Sequence, residues 1–273
     1  MQIFKNQYLA GTKIDLQGEK IPKHVLEDFV QNSNGSRIPL NQSHDFGKKS
    51  PGYIANIKLV EDVTEKNEWV LFGDVYCEID ILEEALGGFS ISYLEISHRS
   101  VDEYEFIMYL PFPHYNDEAY IESFTSQNKV SVGRWVKKAA DPSTSALIVA
   151  AVIFFIKPVW DDYYKTQLAP KIYSFIKKNH ESLQTKKIST DFVQTVEFKG
   201  KDIQVILTPK KEHEIECFTP DKLNKAMFVV AKFLNDTESS LEIKRINMYF
   251  HDETVGFKIH RSENENGNVI HYV

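Results

Sequence analysis

The chain has 273 residues, 42% of them hydrophobic and 26% charged, which is ample for more than one packed core and excludes a disordered polypeptide. A formal net charge of −7 excludes the basic footprint by which a general nucleic-acid binder displaces counterions from phosphates. Only Cys77 and Cys217 are present, far apart and without a His/Cys cluster, which excludes a disulfide framework and a structural zinc site and fits a reducing compartment.

The opening Met1-Gln-Ile-Phe-Lys-Asn-Gln has no apolar run behind a basic end, so no secretory signal is expected and a cytoplasmic location is. A strand from Gln2 to Ala10 precedes a Gly11-Thr12 turn. Pro22 then starts a short helix, Lys23 to Val30, with Val25, Leu26, Phe29 and Val30 on one face, stopped by Asn32-Ser-Asn-Gly35-Ser; proline in the first turn and breakers at the end are the expected punctuation. Arg37 to Leu40 is a short apolar run leading to Asn41-Gln-Ser-His44-Asp45. Strands are expected at Gly52–Val60, Trp69–Ile79, Phe89–Ile96 and Tyr104–Leu110, with a helical turn or two at Leu82–Leu86. Many short strands with few helices predict a closed, barrel-like or sandwich-like β domain.

A connector follows. Pro111-Phe-Pro113-His-Tyr-Asn-Asp reads as a loop, Trp135–Ala140 as the beginning of a helix, and Ala146–Ile156 as eleven apolar residues in a row that start after Asp141-Pro-Ser-Thr and end at Lys157-Pro158. Val159–Ile176 has Trp160, Tyr164, Leu168, Ile172 and Ile176 at helical spacing, with Pro170 as a bend. The apolar run falls short of the roughly 20 residues that span a bilayer. It is therefore read two ways: as a buried helix between domains, or as a membrane-inserting or peripheral attachment extended by an interfacial Trp160. A helical stalk through which copies self-associate is equally consistent with the segment after it.

The last stretch is a small α+β pattern. Phe192–Phe198 and Ile203–Leu207 form a hairpin about Gly200. Thr219-Pro-Asp caps a helix striped by Leu223, Met227, Val230 and Leu234, and Ile243–Phe250 pairs with Val255–Ile259. Residues 1–130 carry 11 Lys/Arg against 21 Asp/Glu, and the remainder 21 against 18. The parts have different electrostatic surroundings and are read as separate units. The expected fold is α+β: a β-rich domain over 1–130, a helical connector over 131–187 open to membrane association, and an α+β accessory domain over 188–273.

Two stretches carry candidate chemistry. One is Ile38-Pro-Leu-Asn-Gln-Ser-His44-Asp-Phe-Gly-Lys-Lys-Ser-Pro-Gly52; the other is Gly87-Gly-Phe-Ser90-Ile-Ser92-Tyr. A serine hydroxyl is a poor nucleophile at neutral pH, and imidazole is the side chain whose pKa suits it to take the proton. Glu212-His-Glu214 and His251-Asp-Glu253 imitate metal ligands but read as solvated turns, so neither a metal nor a cofactor is expected.

These stretches resemble the phage prohead maturation proteases, serine peptidases related to the herpesvirus assembly proteases. Those proteins have an apolar strand ending in His-Asp, a glycine several residues on that starts the next strand, and a later strand reading Phe/Leu-Ser-Ile-Gly-aromatic. The likeness covers residues 1–120 and includes the flanks Ile21-Pro-Lys-His-Val-Leu and Tyr104-Glu-Phe-Ile-Met-Tyr-Leu-Pro. It implies a serine endopeptidase acting on a polypeptide, with Ser90 as nucleophile and His44 as general base. Glu105 would be the group that orients the imidazole, with His98 as rival. Ser92 stands where the family has glycine, and a side chain there obstructs the backbone approach that builds an oxyanion hole. The alternative reading is a non-catalytic peptide-binding or scaffold protein on the same fold, tethered or oligomeric.

Overall fold

The computed structural model describes residues 1–15, 18–33, 35–42, 48–81, 90–96, 106–125, 130–139, 149–155, 164–185, 189–210, 214–252 and 254–272. The chain is α+β and divides into two compact units. One gathers Met1–Leu94, Trp135–Leu147 and Glu265–Val269; the other gathers Glu95–Arg134, Ile148–Asn264 and Ile270–Val273.

In the first unit, β1 (Gln2–Gly11), β2 (Ile38–Pro39), β3 (Gly52–Glu61) and β4 (Trp69–Cys77) form an antiparallel sheet of order β1-β4-β3-β2. Among the described residues neither this sheet nor the second one closes into a barrel. Helix α1 (Lys23–Ser33) puts Leu26, wholly buried, with Ala10 and Ile21, while its Phe29 and Val30 pack on Leu9, Leu71 and Val75 of the sheet. That is the apolar face expected from the helical spacing, and burying it supplies most of such a short helix's stability.

The other sheet has nine strands in the order β13-β12-β11-β10-β9-β8-β6-β7-β5. They are β5 (Ser90–Ile96), β6 (Phe106–Pro111), β7 (Val130–Ala139), β8 (Val149–Phe155), β9 (Ser189–Phe198), β10 (Lys201–Thr208), β11 (Ile243–Asp252), β12 (Gly256–Asn264) and β13 (Val269–His271). The helices are α2 (Glu118–Thr125), α3 (Ala169–Thr185), the one-turn α4 (Glu214–Cys217) and α5 (Pro220–Asp236). β8 and β9 are parallel, with α3 between them in sequence; β10 and β11 are parallel, with α5 between them; β9 and β10 form the antiparallel hairpin. A parallel pair needs a crossover of a dozen or more residues, and a helix is its usual form. The second unit's core joins Phe106, Met108 and Leu110 to Ile172, Phe175 and Ile176 of α3, and to Leu223, Met227, Val230 and Leu234 of α5.

Three expectations for the connector are corrected. The apolar run read as a helix is strand over Val149–Phe155. The strand is paired on both edges, with β6 and β9, and periodicity alone does not separate a central strand from a buried helix over so few residues. Among the described residues no helix is long and apolar enough to cross a membrane. The helix expected from Trp135 is the second half of strand β7; Val130, Val132, Trp135 and Val136 are β-branched or aromatic and fit a pleated surface. Pro170 does not bend a continuous helix. A π-helical turn, Tyr164–Leu168, precedes α3, and Pro170 sits in the first turn of α3, where its missing N–H costs nothing. The segment read as a loop, 111–117, holds a single 3-10 turn at His114–Asn116, and α2, which buries Tyr120 and Phe124, follows it. The segment Leu82–Leu86 lies outside the described residues.

Candidate functional site

β2 and β3 form a short hairpin stem, with Ile38 opposite Ile54 and Pro39 opposite Tyr53. The residues between them, 40–51, include the sequence that carries His44. Their base is closed by several bonds: the Leu40 N–H donates to the Gly52 carbonyl at 2.9 Å, and the Gln42 side-chain amide donates to the Lys49 carbonyl at 2.9 Å. The Ser50 hydroxyl lies 2.7 Å from the Leu40 carbonyl and 3.0 Å from that of Gly52.

The base is seated on β4. Gly52 is opposite Cys77 and Tyr53 opposite Tyr76, and the Tyr53 and Tyr76 rings stack with centroids 4.7 Å apart. The Arg37 guanidinium covers the outer face of Tyr53 at 4.4 Å, a cation–π contact. A Cβ on Gly52 would stand 1.8 Å from the Tyr76 carbonyl oxygen, so this position takes glycine for closeness of approach. The Glu78 N–H donates to the Pro51 carbonyl at 2.7 Å, tying the first residue beyond β4 to the end of the His44-bearing segment.

From Glu78 the chain passes through Ile79–Ile81 towards Ser90. An open concavity at this end of the sheet is lined by Met1, Gln2, Glu78, Ile79 and Asp80. Gln2 is itself opposite Cys77 on the other side of β4. Thus the start of β1, the end of β4 and the start of β3 meet at one place, and it is acidic through Glu78 and Asp80.

Of the residues singled out by sequence, Ser90 opens strand β5, which ends the nine-strand order beside β7. Ser92 follows it two positions on in the same strand. His44, His98 and Glu105 lie outside the described residues. The metal look-alikes divide. Glu212, His213 and Glu253 lie outside the described residues, Glu214 is buried 3.7 Å from the His180 ring, and Asp252 is engaged in a turn. Its carboxylate accepts from the Thr254 N–H, the Thr254 hydroxyl and the Val255 N–H at 2.9, 2.7 and 2.8 Å and touches His251 Nδ1 at 2.6 Å. Those bonds hold its pKa well below the ordinary carboxylate value, the Thr254 hydroxyl contributing most. Among the described residues no three His, Cys, Asp or Glu side chains gather as a metal would require.

Sequence reasoning missed a buried charge cluster on β11 and β12. Arg261 is fully buried and Glu263 nearly so. The Glu263 carboxylate meets Lys244 Nζ at 2.8 Å, Arg245 Nη1 at 3.2 Å and Arg261 Nη2 at 3.6 Å. Burial pushes the Glu263 pKa up, yet Arg245, Lys244 and Arg261 together hold it below the ordinary value. The signal was the mixed string Lys244-Arg-Ile-Asn, which is too polar for an ordinary central strand. Comparison of the chain with family models, curated proteins and solved structures finds no match.

Proposed function

We propose that the first unit is a serine endopeptidase of the prohead-protease type, with His44 as general base and Ser90 as nucleophile. The observation that carries this reading is the Gly52–Cys77 pairing. The His44-bearing segment enters the sheet at Gly52, and the chain that leads to Ser90 leaves it at Cys77, with Glu78 bonded to Pro51 across the gap. The segment that carries His44 and the segment that leads to Ser90 thus both start from one end of the four-stranded sheet. Ser90 and the described residues on either side of His44, Gln42 and Lys48, also belong to the same compact unit.

In this reading His44 takes the Ser90 hydroxyl proton as the oxygen attacks a scissile peptide carbonyl. It then returns the proton to the leaving amine, and water resolves the acyl-enzyme by the reverse sequence. Glu105, or His98 in its place, orients the imidazole. The chemistry calls for no metal and no cofactor. A polypeptide substrate is the partner, and the concavity beside Glu78 and Asp80 offers it a place with a preference for basic side chains.

A second reading rests on Ser92, which replaces the glycine of the resembled pattern. In it the fold binds a polypeptide without cutting it. Incubating the purified chain with unfolded polypeptides, beside its Ser90→Ala variant, separates the two. Cleavage products that vanish in the variant support the peptidase; indistinguishable product patterns, or none from either protein, support the binder.

A further inference from the structure

We infer that β11 and β12 carry a binding site for a small oxyanion that keeps one O–H, hydrogen phosphate or hydrogen carbonate, received by Asn247 and Arg261 behind Lys244 and Arg245. The site lies wholly within the second unit and does not depend on the peptidase reading.

Two successive rungs of the sheet build it. Arg245 stands opposite Gln204 on β10 and opposite Glu263 on β12. Two residues on, and therefore on the same face, Asn247 stands opposite Arg261. Ile246 between them, like Met248 after them, belongs to the core with α3 and α5. The first rung is held by its own bonds. Arg245 Nε donates to the Gln204 amide oxygen at 2.8 Å, and Arg245 Nη1 and Lys244 Nζ meet the Glu263 carboxylate at 3.2 and 2.8 Å. Its Lys244 and Arg245 side chains are 42% and 31% exposed, whereas Asn247 and Arg261 on the second rung are fully buried.

Asn247 is the observation that makes this cluster a site. Neither its amide nitrogen nor its amide oxygen has a hydrogen-bond partner in the protein, and native interiors rarely leave a buried donor and acceptor unmade. The amide calls for a ligand that accepts from its NH2 and donates to its carbonyl. The charges beside it set the ligand's sign. Three cations and one carboxylate meet on these rungs, and the guanidinium opposite Asn247 is the donor fork that suits an oxyanion. A small oxyanion bearing an O–H meets all three conditions. Sulfate, which has no O–H at neutral pH, leaves the Asn247 carbonyl unpaired and is rejected on that ground. The exposed Lys244 and Arg245 draw the anion in from solvent.

The test is isothermal titration calorimetry of the full chain at pH 7.5 and constant ionic strength with sodium phosphate, bicarbonate and sulfate. Wild type is compared with Asn247→Leu, which is close in shape and removes both polar atoms, and with Lys244→Ala. The expected result is one phosphate or one hydrogen carbonate per chain, with competition between the two showing which the site prefers. Sulfate binds at least tenfold more weakly, Asn247→Leu lowers the affinity at least tenfold, and Lys244→Ala lowers it severalfold. Lys244→Ala carries the test if Asn247→Leu does not fold, since its side chain is half-exposed. Heats that saturate with neither anion in wild type overturn the inference. So does an affinity that the folded variants leave unchanged, or sulfate bound as tightly as phosphate, either of which marks an adventitious ion only.

Discussion

Gly52 and Cys77 face each other across β3 and β4, and the carbonyl oxygen of Tyr76 lies where a Cβ of residue 52 would be, 1.8 Å from its ideal position. The obstacle is backbone in a paired strand, so no side-chain rotation relieves it. Gly52→Ala is expected to destabilise the chain by about 2–4 kcal/mol, read as a lowered urea midpoint. It should also raise hydrogen exchange at the amides of Leu40 and Glu78, whose acceptors are Gly52 and Pro51. A midpoint within experimental error of wild type would mean that β3 and β4 are not seated as described.

The Glu263 carboxylate holds three cations, one of them the fully buried Arg261. Glu263→Gln keeps the shape and removes the charge, and removing one member of a buried ionic cluster costs roughly 3–5 kcal/mol. The pH dependence has a definite sign. The folded-state pKa of Glu263 lies below its ordinary value of 4.5, so its contribution is full above that value and is lost as pH falls through the folded-state pKa. Urea midpoints of wild type and Glu263→Gln should differ most at neutral pH and converge in acid. A gap that does not narrow would place the stabilisation elsewhere.

Tyr120 gives the opposite limb. Burial, with a further push from the Asp117 carboxylate, raises its phenol from 10.0 to about 12. The folded state therefore keeps a proton that the unfolded state gives up first, and the stability contributed by Tyr120 is intact below pH 10 and declines as pH rises through 12. Tyr164 is raised further by burial, against a lowering bond to Gln194. Ultraviolet titration of the native chain should show these two phenols ionising last or only on unfolding, and Tyr120→Phe should flatten the alkaline loss of stability. Ionisation of every tyrosine near pH 10 with the fold intact would contradict their burial.

Much of the architecture was legible because it is written in local periodicity. The α1 face of Leu26, Phe29 and Val30, the α5 stripe of Leu223, Met227, Val230 and Leu234, and the β9–β10 hairpin about Gly200 follow from spacing and turn chemistry alone. Val149–Phe155 misled because a central strand and a buried helix write the same apolar string, and only the parallel pairing with β9 across α3 distinguishes them. α2 was missed because its amphipathic signal spans two turns, carried by Tyr120 and Phe124. At the candidate site Gly52 was legible as the glycine that starts the next strand. Why residue 52 has to be glycine was not visible, since the reason is the Tyr76 carbonyl of a strand far along the chain.

The central claim is that an imidazole at position 44 activates the hydroxyl at position 90. It is tested most directly by intact-mass spectrometry after exposure to a fluorophosphonate, comparing wild type with His44→Gln and mapping the adduct by peptide digestion. The account predicts one adduct per chain on Ser90 in wild type, formed at least a hundredfold more slowly in His44→Gln. A wild-type chain that takes no adduct at Ser90, or a His44→Gln chain that takes it just as fast, would contradict it.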